Sequence, residues 1–137
     1  MTTGYLVTAI ARTYIGATKK SAKHKALINA FNTVKPHGYK ASTSDPWCAE
    51  AWSAWQILAG NTAKEVPLSA SCTQLILDAK LLKEWQEDES VKPQIGWGVL
   101  YDWQDSGKGN NTGSPDHIGI IYEVDAKYFY VIEGNKG

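Results

Sequence analysis

Ser44-Asp45-Pro46-Trp47-Cys48-Ala49-Glu50-Ala51-Trp52-Ser53-Ala54-Trp55-Gln56-Ile57-Leu58-Ala59-Gly60 is the stretch around which the chain organises itself. Asp45 suits a helix N-cap, and Pro46 suits the first helical position, where its missing N–H costs nothing. Gly60 supplies a stop. Trp52 and Trp55 share a helical face. The segment is apolar enough to predict a helix in the middle of a domain, with its tryptophans in the core. Cys48 falls about three residues into that helix. There the positive end of the helix dipole favours a thiolate over a thiol.

Upstream, Leu6, Val7, Ile10, Tyr14 and Ile15 keep helical spacing over residues 4–15, and Gly16 ends the run. Ser21 caps a second predicted helix reaching Phe31, with Ala26, Leu27, Ala30 and Phe31 inward. Lys35-Pro36-His37-Gly38 breaks it. Lys19, Lys20, Lys23 and Lys25, with His24 among them, read as a solvated helix face, and His37 as a loop residue. Downstream, residues 71–84 form a further helix with Leu75, Ile76, Ala79 and Leu82 inward and Cys72 in its first turn. From Gly96 the pattern changes. Residues 99–103, 117–124 and 128–133 are rich in β-branched and aromatic side chains and read as three strands. Asp125-Ala126-Lys127 is a short hairpin link, and residues 104–115 form a long polar loop. Helices come first and strands last. The fold class expected is α+β, with N-terminal helices packed on a C-terminal antiparallel sheet.

The 137 residues make one domain of ordinary size, and 14 basic side chains balance 14 acidic ones. This balance predicts no affinity for nucleic acid or acidic membranes. No apolar run approaches the ~18 residues of a membrane span. The N-terminus lacks the basic-then-apolar plan of a secretory signal. The two cysteines, Cys48 and Cys72, belong to no Cys-x-x-Cys pair, so zinc and thioredoxin-like chemistry lack support. Cys72 reads as a buried packing residue.

Cys48, His117, Glu133 and Asn135 are the candidate catalytic residues. A thiol attacks carbonyls as a thiolate, and a nearby imidazolium stabilises that form. His117 opens a strand, and a central helix on an antiparallel sheet can bring it to Cys48. Alternate strand residues share a face, so Gly119 is expected to leave room beside His117 for thiol and substrate. Glu133, assisted by Asn135, would hold the ring and fix its tautomer. The Cys48 backbone N–H is a candidate oxyanion donor. This chemistry requires the sulfur close to the ring, ionised, open to solvent and not tied up with Cys72.

Asp45-Pro46-Trp47-Cys48-Ala49-Glu50-Ala51-Trp52 resembles the nucleophile helix of CHAP domains, the cysteine- and histidine-dependent amidohydrolases and peptidases of bacterial and phage cell-wall lysis. Residues 113–121 resemble their histidine strand, and Val131-Ile132-Glu133-Gly134-Asn135 their closing Glu-Gly-Asn motif. Residues 101–107 are similar to a loop of some phage endolysins. The resemblance runs from about residue 40 to the end. Ile95-Gly96-Trp97-Gly98 departs from the usual Pro-Gly-Asp before the first strand.

The resemblance implies a papain-like fold of the NlpC/CHAP type and hydrolysis of an amide bond in peptidoglycan. Cys48 would be the nucleophile, His117 the base, and Glu133 and Asn135 the supporting groups, with Trp47 and Asp116 contacting substrate. It implies a catalytic domain over residues 1–137, cut from a longer chain with a wall-binding region after Gly137. The partner would be bacterial peptidoglycan, met by a monomer made in the cytoplasm and released by another route, such as a phage holin. No cofactor is expected. Some relatives bind calcium through several acidic residues near the nucleophile, but here Asp45 stands almost alone. Two other readings compete: a non-catalytic wall-binding module, and an NlpC-type peptidase of different bond specificity.

Overall fold

Helix α3, Cys48–Leu58, lies at the centre of the protein, and every residue from Cys48 to Gln56 is buried. The structure, a computed structural model, describes residues 4–88, 90–101 and 117–134. Around α3 stand α1 (Gly4–Thr13), α2 (Ala22–Val34) and α4 (Cys72–Leu81). A 3-10 turn, Pro36–Gly38, follows α2. The strands β1 (Gly98–Tyr101), β2 (His117–Val124) and β3 (Phe129–Glu133) form one antiparallel sheet in that order. The class is α+β. Among the described residues no helix is long and apolar enough to cross a membrane.

The helix boundaries differ from the sequence reading in ways the backbone explains. Helix α3 starts at Cys48, not Pro46, and its N-cap, Trp47, makes no side-chain capping bond. Asp45 is occupied upstream, where its carboxylate accepts from the Ser42 N–H at 3.1 Å and the Tyr39 hydroxyl at 2.8 Å. Helix α1 stops at Thr13, leaving Tyr14 and Ile15 in the following turn. Helix α2 keeps its Ser21 cap but runs on to Val34. Lys35, in the left-handed conformation (φ 52°), closes it with an N–H bond to the Phe31 carbonyl. Helix α4 is capped by Ser71 and ends at Leu81. The expected first strand begins one residue early, and its expected end at residue 103 lies outside the described residues, as does the 104–115 loop.

His24 is not solvated. It is fully buried on α2, its Nδ1 accepts the Lys20 N–H at 2.8 Å, and its ring stacks on Trp47 with centroids 4.2 Å apart. The four lysines around it are exposed. Ala26, expected inward, is exposed too. The inward face of α2 is His24, Leu27, Ile28 and Phe31, which is regular helical spacing. The His37 Nε2 meets the Asp78 carboxylate at 2.8 Å and ties the 3-10 turn to α4.

The sheet packs on α3 through Ile118, Ile120 and Ile132, which share one buried cluster with Trp47, Trp52 and Trp55. Glycines allow two close approaches here. A Cβ on Gly98 would lie 3.1 Å from the Trp52 ring, and one on Gly134 would lie 2.6 Å from the Ala51 Cβ. The end of β3 therefore sits directly against the first turns of α3.

The loop before α4 is fastened to α3 by polar groups. Trp52 Nε1 donates to the Pro67 carbonyl at 3.1 Å. The buried Ser53 hydroxyl donates to the Ser69 carbonyl at 2.8 Å and accepts the Ser69 N–H at 2.9 Å. Ser69 Oγ accepts the Ser71 N–H at 3.0 Å, and Ser71 caps α4. This chain of bonds fixes where Cys72 falls. Ser53→Ala strips two backbone groups of their partner and should cost about 1–3 kcal/mol in urea unfolding. An unchanged unfolding midpoint would mean that the loop is held by other contacts.

Candidate active site

Each candidate side chain is delivered by the end of an element. Cys48 is the first residue of α3, His117 the first of β2, and Glu133 the last of β3. Gly119 pairs with Glu133 across the two strands, so Glu133 lies diagonally from His117 on the same face of the sheet. The His117 Nε2 stands 2.9 Å from the Glu133 Oε2, with side-chain exposures of 4% and 10%. The imidazole also hydrogen-bonds the Cys48 sulfur. Sulfur, ring and carboxylate thus form a continuous chain of contacts.

Gly119 does not leave space for thiol and substrate. The space that its side chain would fill is taken by Val131 and by the Glu133 Cγ, 2.8 Å from an added Cβ. Its absent side chain lets Glu133 lean across the strand toward the ring. Trp47 is a core residue, 2% exposed, between the His24 ring and Gly134. One side of it forms part of the wall of a cavity of about 390 Å³ that Glu133 and Gly134 also border. Cys48 and His117 do not line that cavity and are buried, so the sulfur is not open to solvent as the sequence suggests, because α3 and β2 pack directly over it. Asn135 and Asp116, the remaining candidates, lie outside the described residues.

Cys72 is buried in the core, as packing requires, but it does more than fill space. It is the first residue of α4, and its sulfur lies 3.8 Å from the Cys48 sulfur in a thiol hydrogen bond. The two sulfurs are not joined in a disulfide. The sequence carries the signal: like Cys48, Cys72 opens a helix, here directly after the Ser71 cap.

The electrostatics favour a charged pair. The Cys72 thiol, hydrogen-bonded to Cys48, lowers the Cys48 pKa most; burial opposes it, and the hydrogen bond and charge of His117 and the Ile118 N–H add to the lowering. His117 is held above its ordinary 6.5, first by the hydrogen bond to Cys48, against burial, and then by the charges of Cys48 and Glu133. The stable form is therefore thiolate and imidazolium.

A second titrating pair lies one turn away. Glu50, 1% exposed, is pushed up to about 9 by burial, then by its hydrogen bond to Asp45 and the charges of Asp45 and Cys48. Its Oε1 has no hydrogen-bond partner among the described residues. Burial raises Asp45 too, but hydrogen bonds from Glu50, Ser42 and Tyr39 hold it below the usual carboxylate range. Glu50 is thus a neutral acid donating to the Asp45 carboxylate. Neutrality keeps a second negative charge away from the thiolate.

Among the described residues no three His, Cys, Asp or Glu side chains are grouped to hold a metal ion. Comparison of the chain with protein-family models, with curated protein sequences and with solved structures gives no match.

The raised Glu50 pKa has a definite sign. Its stabilising effect is complete below the unfolded value of 4.5 and is lost as pH rises toward about 9. Glu50→Gln keeps a donor to Asp45 and removes the titration. The parent should lose stability relative to the variant from pH 5 to 9, by at most about 1.4 kcal/mol per pH unit. Parallel stability curves across that range would contradict a neutral buried Glu50.

Proposed function

We propose that this protein is a cysteine amidohydrolase or peptidase of bacterial peptidoglycan, with the papain-like arrangement of a nucleophile helix on an antiparallel sheet found in CHAP domains. The observation that carries the reading is the continuous contact from the Cys48 sulfur through the His117 ring to the Glu133 carboxylate. The substrate class rests on the resemblance of residues 45–52, 113–121 and 131–135 to wall-lytic enzymes. The bond is a muramoyl-alanine amide or one within the stem or cross-bridge peptide.

The chemistry follows from the charges. The Cys48 thiolate attacks the amide carbonyl carbon. The oxyanion that forms needs a donor, and the N-terminal end of α3, with the Cys48 N–H, is oriented to supply one. The His117 imidazolium gives its proton to the leaving amine, and the C–N bond breaks to leave a thioester. Neutral His117 then takes a proton from water, which attacks the thioester and releases the acid. Glu133 holds the ring in place and stabilises its positive form through both steps.

The test is release of new amino groups from purified bacterial walls. Cys48→Ala should lower it by at least about 10³-fold while the protein still folds. Glu133→Gln, which removes the charge but keeps the shape, should lower kcat by about 10²–10⁴-fold. The pH–rate profile should rise below the ordinary thiol range and fall above 6.5, the ordinary histidine value. Retained release by Cys48→Ala would overturn the mechanism. Co-sedimentation with walls and no release by the parent protein would instead make it a binding module.

A further inference from the structure

The thiol that the proposed reaction does not consume is Cys72. It is held in place by the Ser53–Ser69 and Ser69–Ser71 bonds, at the first residue of α4, with its sulfur 3.8 Å from the Cys48 sulfur. A disulfide needs about 2.05 Å between sulfurs. The gap to close is therefore less than 2 Å, within reach of side-chain rotation and a small shift at one helix end. Two helices present their N-terminal residues to each other, and both thiols sit at the end of a helix that favours a thiolate.

We infer that Cys48 and Cys72 form a peroxide-responsive pair, in which Cys72 resolves oxidised Cys48 into a reversible intramolecular disulfide. The Cys48 thiolate attacks one peroxide oxygen. An S–O bond forms, the O–O bond breaks, and the departing hydroxide takes a proton to become water. Cys48 is now a sulfenic acid. Cys72 loses its proton and attacks the Cys48 sulfur. The S–S bond forms, the S–O bond breaks, and hydroxide leaves with the Cys72 proton as a second water. Two thiols have lost two electrons and two protons, and one peroxide has become two waters.

The disulfide has two consequences. It removes the sulfur nucleophile, which silences the enzyme; this consequence rests on the hydrolase reading above. It also halts oxidation before the irreversible sulfinic acid, which does not depend on that reading. Its restoration needs only an external thiol, whose thiolate attacks either sulfur of the bridge.

The experiment is intact-mass measurement of the whole chain under hydrogen peroxide, with and without a later dithiol reductant, alongside wall hydrolysis on the same samples. The parent protein should lose about 2 Da as a monomer, with no thiol left to alkylate, and return to its starting mass on reduction. Cys72→Ser should instead gain about 32 Da, a change that the reductant does not reverse. Cys48→Ser should keep an alkylatable Cys72 and gain no bridge. A parent protein that gains about 32 Da like Cys72→Ser, or whose bridge joins two molecules, overturns the inference. Wall hydrolysis separates the two readings. A monomeric bridge in a protein that never hydrolyses walls sinks the enzyme alone. Hydrolysis lost irreversibly, with the mass increase, sinks the pair alone.

Discussion

The contact between one buried sulfur and one buried imidazole sets the demands that the rest of the molecule meets. Each group is costly to bury when charged and alone. Together they stabilise each other as thiolate and imidazolium, and Glu133 meets the outer side of the ring. The scaffold has to deliver three side chains from three separate elements to one point. It does so with an almost wholly buried helix, a three-stranded sheet, and glycines that remove side chains where the elements meet. Gly134 lets the end of β3 reach the first turn of α3, and Gly119 lets Glu133 cross toward the ring.

Polar groups buried around this point are arranged by charge. Asp45 and Glu50 share a proton, so that only one of them is ionised near the thiolate. Cys72 faces Cys48 as a hydrogen-bonding thiol. His24 is kept neutral, first by burial and then by the nearby Lys19 charge, and serves as a flat stacking partner for Trp47. The negative charge on Cys48 is thus opposed by one cation and approached by donors.

Much of this was legible along the chain, and the reasons differ by element. The order of helices before strands gave the α+β class, because periodicity is local and these runs are strong. The strand at residues 117–124 was placed correctly since β-branched residues dominate it. The start of α3 was misplaced. Asp45 and Pro46 carry helix-start chemistry, yet the Asp45 carboxylate is spent on Ser42 and Tyr39, partners that sequence spacing does not reveal. The lysines around His24 suggest a solvated face, although its spacing to Leu27, Ile28 and Phe31 carries the inward signal. Cys72 reads as packing along the chain, because nothing local says that Ser53 and Ser69 bring its loop to Cys48. Hydrogen bonds between distant parts of the chain decide the placement of Cys72.

All of this turns on a thiolate at Cys48 near neutral pH. Ultraviolet absorbance of the thiolate, titrated against pH in the native protein and in Cys48→Ala, isolates that one sulfur. The difference should show a thiol ionised well below the ordinary value of about 8.5, with the transition moving up when His117 is replaced by alanine. A Cys48 that ionises at or above the ordinary value, indifferent to His117, would contradict it.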